Sequence, residues 1–158
     1  MTPTAHFLHP GDVTVGFATD SFETLLGSCV SILLVSPCFH VAAMCHFVYA
    51  SRPSKARSKD ASYGVVAMSK MEHLLRMAGF NAKLCHAYVF GGGNMFPGNT
   101  NLVDVGSANV AWAFNYLNNH HIPVFGAQTG ENCYRKFAWT VGSQDPCQFV
   151  KTIAVLPS

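Results

Sequence analysis

The chain has 158 residues, of which 49% are hydrophobic and 11% charged, and its formal net charge is +2. This composition excludes an intrinsically disordered chain, and the small net charge argues against a dedicated nucleic-acid binder. No run of about 20 apolar residues is present, so no helix is expected to insert into a membrane. Residues 1–10 lack the basic residue and the apolar stretch of a signal peptide. We therefore expect the protein to stay in the compartment where it is made.

The hydrophobic pattern predicts two helices among seven strands. The strands are predicted over residues 13–18, 30–35, 41–48, 84–90, 124–127, 137–141 and 149–155. Several are apolar on both faces, which is typical of a sheet covered on each side. One helix, over residues 65–78, has an apolar face and ends at Gly79. The other, over residues 105–118, begins after Asp104, a capping residue.

The order of these elements indicates an α+β or layered α/β fold rather than a regular alternation of strands and helices. Nothing in the composition marks a domain boundary, so residues 1–158 are interpreted as one domain. Loops are predicted over residues 51–62, 91–101 and 128–133. The second loop opens with Gly91-Gly92-Gly93, which removes side chains where the backbone must approach another group closely. We favour a neighbouring strand over a substrate as the partner that approaches these glycines.

The chain contains six cysteines, none in a CxxC pair: Cys29, Cys38, Cys45, Cys85, Cys133 and Cys147. In a chain with an ample apolar core, most of them are interpreted as reduced, buried residues. The adjacent pairs Cys45-His46 and Cys85-His86 would point to opposite faces of a strand. They are poorly arranged for zinc, and no metal site is expected.

The sharpest candidate for chemistry is Cys29, which follows a Gly27-Ser28 turn and opens an apolar strand. Gly27 is expected to allow an unusual backbone angle, and the turn to aim backbone N–H groups at one point, as an oxyanion hole requires. A nucleophilic cysteine also needs a nearby histidine. If Val35 pairs with His40 in the hairpin of the next two strands, Cys29 falls opposite His46, close enough for a thiolate–imidazolium pair. The alternative is a buried cysteine and a core histidine without catalysis.

Four segments together resemble one known family. Leu26-Gly27-Ser28-Cys29-Val30, with His46 seventeen residues after the cysteine, resembles CheD, the chemoreceptor glutamine deamidase of bacterial chemotaxis. The resemblance continues in the segments FGGGNM at residues 90–95, VGSANV at residues 105–110 and IPV at residues 122–124. It covers residues 10–155, and the first segment with its spaced histidine is the most specific part.

The resemblance implies a layered α/β/β fold, with packed β-sheets and two main helices on one side. It also implies that Cys29 is the nucleophile, that His46 is its base and that Thr24 orients the histidine, with Gly27 and Ser28 forming the oxyanion turn. The reaction would convert glutamine side chains of chemoreceptors to glutamate through a cysteine thioester, without a metal or organic cofactor. The partners would be cytoplasmic domains of methyl-accepting chemoreceptors and the phosphatase CheC, and the location cytoplasmic.

This chain departs from the family pattern in one loop. Glu131 and Tyr134 stand where the family has glycines, whereas Arg135 and Lys136 match it. The departure predicts a reshaped loop and altered substrate or partner contacts. Contacts with substrate or partner are expected from five basic residues, four of them in the first predicted loop: Arg52, Lys55, Arg57, Lys59 and Arg135.

Two other functions remain open from the sequence. The protein would be an adaptor if it bound a receptor or CheC with little catalysis. A papain-like peptidase would also use a cysteine and a histidine. Its histidine lies far downstream of the cysteine, however, and the context of Cys29 does not fit that class.

Overall fold

Nine strands and two helices make up the part of the chain that a computed structural model describes, residues 2–99 and 104–156. The helices are α1 (Gly64–Met77) and α2 (Val105–Asn119). The strands are β1 (Ala5–Leu8), β2 (Val13–Phe17), β3 (Ser21–Leu26), β4 (Val30–Val35), β5 (Val41–Cys45), β6 (His86–Gly91), β7 (Val124–Thr129), β8 (Cys133–Thr140) and β9 (Val150–Ala154). None of the helices in these ranges is long and apolar enough to cross a membrane.

The strands form two sheets. Strands β1, β3, β8 and β9 lie side by side in that order in a four-stranded sheet, and the order in the five-stranded sheet is β2-β5-β4-β6-β7. The β1–β3 and β6–β7 pairs are parallel, and the remaining pairs are antiparallel. Both helices pack on the five-stranded sheet, so this sheet is the middle layer.

Strand β4 lies at the centre and is buried along its whole length. Its residues alternate between two cores, because successive side chains point to opposite faces of a sheet. Ile32 and Leu34 pack with Met68 and Leu75 of α1. The intervening side chains face the four-stranded sheet, where they join Phe22, Phe90, Phe137 and Trp139. The layered α/β/β arrangement expected from the sequence is therefore confirmed.

The predicted helices are confirmed to within one residue at each end. Asp104 caps α2 by accepting a hydrogen bond from Ser107 N–H at 3.0 Å, and Gly79 follows α1 with φ +91°. All seven predicted strands are present, with shifted ends. The predicted loop over residues 91–101 extends outside the described residues after Asn99.

Two strands, β1 and β3, were not predicted. Strand β1 has four residues, and only Leu8 is fully buried. Strand β3 alternates buried and less buried residues, but one of its inward positions holds the polar Thr24. A polar residue at an inward position hides the period-two apolar pattern that identifies a strand.

Candidate active site

The segment Gly27-Ser28-Cys29 connects β3 of the four-stranded sheet to β4 of the five-stranded sheet. All three residues are partly exposed. The expectation of an unusual backbone angle at Gly27 was wrong, because Gly27 does not have a positive φ. Space for a side chain is tight there: a Cβ atom would lie 3.0 Å from Met95 Sδ and 3.3 Å from Tyr134 Cε1, so these side chains would have to shift slightly.

The glycine segment after β6 holds two carbonyl groups of this connection. Gly93 N–H donates to the Gly27 carbonyl at 2.9 Å, and Gly92 N–H donates to the Cys29 carbonyl at 2.8 Å. A Cβ atom on Gly91 would collide with the Cys29 carbonyl oxygen. The glycines thus permit close approach of the backbone to the chain's own cysteine loop, as the preferred interpretation of the sequence held.

The third carbonyl of the connection is held by a side chain. Asn109 of α2 donates through Nδ2 to the Ser28 carbonyl oxygen at 3.0 Å. Among the described residues, no other residue accepts a hydrogen bond from the N–H groups of Ser28 and Cys29, and the Cys29 N–H lies within reach of its own thiol sulfur. Because C=O and N–H point in opposite directions in a trans peptide, fixing the carbonyls of Gly27 and Ser28 turns these two N–H groups the other way. Backbone N–H groups that no other residue uses are the kind of donor that stabilises an oxyanion.

His46 follows β5 and is 3% exposed. Its Nδ1 atom lies 2.9 Å from Thr24 Oγ1 and 3.3 Å from the Leu8 carbonyl oxygen. The Thr24 hydroxyl donates to the same carbonyl at 2.8 Å, so its oxygen is left to accept the proton of His46 Nδ1. The network assigns the proton to Nδ1 and leaves Nε2 as the acceptor of the ring.

The strand register differs from the sequence prediction by two residues. Val35 pairs with Ala42 and not with His40, because Ser36 also pairs with its partner strand, which moves the turn by one residue, to residues 37–40. Cys29 is therefore a diagonal neighbour of His46 and not its direct partner. The shift of two residues leaves both on the same face of the sheet, and diagonal neighbours are about 7–8 Å apart, still within reach of a long or aromatic side chain.

Burial shifts the pKa values of Cys29 and His46 in the directions that disfavour a thiolate–imidazolium pair. Burial raises the pKa of the Cys29 thiol above its ordinary value of 9.0, and it lowers the pKa of His46 below 6.5. Both shifts favour the neutral forms. The resting pair near pH 7 is thus a thiol and a neutral imidazole, in contrast to the thiolate–imidazolium pair considered from the sequence.

A cavity of about 200 Å³ opens beside Ser28. Its walls include Met95 and Phe96 of the glycine-rich loop and Val105 at the start of α2. Phe96 is 63% exposed, which leaves an apolar surface at the mouth. This cavity can admit a side chain next to the cysteine loop. No cluster of three or more His, Cys, Asp or Glu residues in residues 2–99 and 104–156 is arranged to hold a metal ion.

The basic residues proposed for partner contacts occupy two kinds of environment. The basic segment, which comprises Arg52, Lys55, Arg57 and Lys59, is exposed, and its Arg57 forms an ion pair with Asp60 at 3.3 Å. Arg135 is 2% exposed and donates from Nη1 to the carbonyls of Gly130 at 2.8 Å and Gly91 at 3.3 Å. Its guanidinium braces the glycine segment from inside and does not lie on the surface.

Sequence reasoning missed two groups at the site. Asn109 was noted only as part of a matching segment, although a polar residue on the buried face of α2 is a signal that a partner must be present. The Leu8 carbonyl lies on β1, which was not predicted. A backbone carbonyl carries no sequence signal of its own.

Comparisons with known proteins identify the family of this chain. A family model described as CheD chemotactic sensory transduction matches residues 49–145. The "Probable chemoreceptor glutamine deamidase CheD 2" of Albidiferax ferrireducens is 36% identical over 143 residues, which cover 88% of this chain and 83% of the relative. The "Probable chemoreceptor glutamine deamidase CheD" of Pseudomonas syringae pv. tomato is 34% identical, covering 81% and 78% of the two chains. That of Methanococcus vannielii is also 34% identical, covering 76% and 78%. The chain therefore belongs to the CheD family.

Proposed function

We propose that this protein is a cysteine-dependent deamidase that converts glutamine side chains of chemoreceptors to glutamate. The relatives named above carry that activity in their names. The observation that carries the proposal is the placement of Cys29 on the same sheet face as an oriented His46, next to N–H groups of Ser28 and Cys29 that no other described residue accepts. A nucleophile, a base and an oxyanion site are the three parts that acyl transfer needs.

The first half of the proposed reaction forms a thioester. His46 Nε2 takes the proton from Cys29 Sγ as the sulfur attacks the carboxamide carbon of the glutamine. The carbonyl oxygen becomes an oxyanion, which accepts hydrogen bonds from the N–H groups of Ser28 and Cys29. The imidazolium then gives its proton to the nitrogen as the C–N bond breaks, and ammonia leaves.

The second half hydrolyses the thioester. Neutral His46 takes a proton from a water molecule while the water oxygen attacks the thioester carbon. The same two N–H groups stabilise the second oxyanion. Collapse breaks the C–S bond, returns the proton to Cys29 and releases glutamate. The proposal uses no metal or organic cofactor.

Thr24 is proposed to hold the imidazole in the required tautomer. Its hydroxyl donates to the Leu8 carbonyl and accepts from His46 Nδ1, so a rotation of the ring by half a turn would lose this bond. Holding Nδ1–H in place keeps Nε2 as the acceptor throughout the cycle.

The test uses the cytoplasmic domain of a chemoreceptor from the same organism, incubated with the purified protein and analysed by peptide mass spectrometry. We expect the mass change of amide hydrolysis at a glutamine, and its loss with Cys29→Ala and with His46→Ala. Because the two residues act as a unit, the double variant should be hardly worse than either single variant. Cys38→Ala, which removes an exposed cysteine, is the matched control.

Activity that survives in Cys29→Ala or His46→Ala would contradict the assignment of these residues. Receptor binding without any mass change in the wild type would favour the adaptor function instead. The same assay with CheC added tests whether that phosphatase is a partner. A cytoplasmic location is proposed because the substrate domains lie there.

A further inference from the structure

Asn109 links the two segments on which the proposed reaction depends. It is 1% exposed, and its Nδ2 atom donates to two backbone carbonyls, at 3.0 Å to Ser28 and at 2.9 Å to Val48. Ser28 directly precedes Cys29, and Val48 lies two residues after His46. Both protons of one amide group are thus used to join the cysteine loop to the end of the histidine segment.

We propose that Asn109 is a positioning residue that keeps the Cys29 N–H turned toward the substrate as an oxyanion donor. The Ser28 carbonyl and the Cys29 N–H belong to the same peptide unit, and in a trans peptide they point in opposite directions. When Asn109 holds the carbonyl against α2, the N–H must face away from α2. Rotation of this peptide would put carbonyl lone pairs where the oxyanion forms.

Among the described residues, Asn109 provides the one side chain that bonds to any of the three carbonyls of the cysteine loop, those of Gly27, Ser28 and Cys29. The carbonyls on either side, of Gly27 and Cys29, are held by backbone N–H groups of Gly93 and Gly92, so substitution does not remove those bonds. The Ser28 carbonyl depends on the amide of Asn109 alone among the described residues. A substitution at Asn109 therefore frees the peptide that carries the Cys29 N–H and the Val48 carbonyl, and it leaves the bonds to the Gly27 and Cys29 carbonyls in place.

The inference rests on the proposed function, and it predicts a specific kinetic signature. Loss of one oxyanion donor costs about 100- to 1,000-fold in kcat. The KM should change little, because the donor acts on charge that develops only in the transition state. Alkylation of Cys29 by iodoacetamide displaces iodide without forming an oxyanion, so its rate should not depend on Asn109.

The experiment compares the wild type with Asn109→Ala and Asn109→Leu. The leucine variant keeps most of the volume of asparagine and removes both donors. Asn115→Ala is the matched control, because Asn115 is an exposed residue of the same helix. Three quantities are measured for each protein: kcat and KM of deamidation, the rate of alkylation by iodoacetamide, and protection from alkylation by butyraldehyde. Thermal unfolding shows which variants are folded.

Butyraldehyde gives a readout that needs no receptor. Cys29 Sγ adds to its carbonyl carbon, and the thiol proton moves to the oxygen, which gives a tetrahedral hemithioacetal. That oxygen occupies the position of the oxyanion. We expect butyraldehyde to protect Cys29 in the wild type and in Asn115→Ala, and the concentration needed to rise at least about tenfold in the Asn109 variants.

The supporting result is a loss of about 100-fold or more in kcat and of aldehyde protection, with alkylation by iodoacetamide unchanged. Parallel losses of kcat and of alkylation would overturn the inference, since they would indicate a general distortion of the loop. Unchanged kcat or unchanged protection would also overturn it. If the wild type does not deamidate any receptor but protection still depends on Asn109, the proposed function fails and the positioning role stands.

Discussion

Thr24 shows how a polar residue of the proposed site can obscure the sequence pattern of the strand that carries it. Its side chain points inward from β3, between the buried Phe22 and Leu26, at a position where an apolar residue would have completed the strand pattern. The hydroxyl bonds to His46 and to the Leu8 carbonyl. The family resemblance identified this residue from its place in the sequence. The backbone carbonyl that completes the network could not be predicted in this way.

Substitution of Thr24 should show how much of the activity depends on the orientation of His46, because His46 itself is retained in these variants. Thr24→Val keeps the shape of the side chain and removes the hydroxyl, so we expect kcat to fall by up to about a hundredfold, less than with Cys29→Ala. Thr24→Ser keeps the hydroxyl and should retain most of the activity. Deamidation rates of the two variants provide the measurement. Equal rates for Thr24→Val and the wild type would show that another group holds His46.

The pKa shifts at the site predict the pH dependence of kcat/KM. Burial lowers the pKa of His46 below 6.5, and only the neutral imidazole can accept the Cys29 proton. The value of kcat/KM should therefore rise with pH through a pKa below 6.5 and then stay level. Burial raises the pKa of Cys29 above 9.0, so iodoacetamide should react with it mainly above pH 9.0. Rapid alkylation at pH 5 would instead indicate a thiolate–imidazolium pair.

At the scale of elements, the loop between β7 and β8 keeps the backbone of a glycine-rich turn without all of its glycines. Glu131 has φ +60°, directly after Gly130 with φ +75°. Arg135 donates to the Gly130 carbonyl from β8, and this bond holds the turn in place. Glu131 thus replaces a family glycine at a position where the backbone is left-handed, a conformation that glycine favours.

Glu131→Gly should stabilise the protein. The left-handed conformation costs a residue with a Cβ atom about 1 kcal/mol, and this cost disappears with glycine. The ion pair of Glu131 with Arg135 at 3.5 Å is lost, but the glutamate is 79% exposed, and such exposed pairs contribute little. We expect the melting temperature to rise by about 2–4 °C. Glu23→Gly, in a strand, is the control and should lower it.

The basic segment is expected to steer the receptor. It follows His46 within a few residues. Val48, which precedes the segment, lies close to the cysteine loop because Asn109 donates hydrogen bonds to the carbonyls of both Val48 and Ser28. Chemoreceptor cytoplasmic domains are acidic by the family resemblance, so opposite charge should raise the association rate. Replacing the four basic residues with serine should lower kcat/KM at low salt and flatten its salt dependence, because screening acts beyond about 8 Å at physiological salt. The value of kcat should hardly change.

A matched control tests whether position matters beyond total charge. It replaces four exposed basic residues elsewhere with serine: Arg76, Lys83, Lys136 and Lys151. If the basic segment steers the receptor, the control should change kcat/KM at low salt and its salt dependence less than the segment variant does. Identical salt dependence in the wild type and the segment variant would refute the steering role.

For the molecule as a whole, strands apolar on both faces predicted a sheet that is covered on each side, and the family resemblance supplied the α/β/β order of the layers. The strand order could not. The pairing of β3 with β8 joins residues more than 100 positions apart, and no local pattern encodes it. The β4–β5 register failed for a related reason: a turn placed one residue earlier or later fits the same apolar residues, and only packing selects between the two positions.

Stability of the whole molecule should fall at alkaline pH. Burial raises the pKa of Cys45 to about 12 and the pKa values of Cys85 and Cys147 to about 11. These thiols ionise near 9.0 when unfolded, so the unfolded state releases protons first as pH rises. The free energy of unfolding should therefore decrease from about pH 9 upward. Denaturant unfolding at several pH values measures this slope, which should be shallower in Cys45→Ala.

The hydrogen bond between Thr24 and His46 joins residues carried by different sheets. In the proposed mechanism, the position of the His46 imidazole therefore depends on how the two sheets pack against each other. The deamidation rate would then be sensitive to small changes in this packing. We expect a volume-conserving replacement among the buried aromatic residues between the sheets to cost little stability and still to displace the imidazole if one sheet shifts on the other. Natural selection for activity would then constrain these core residues more tightly than selection for folding alone.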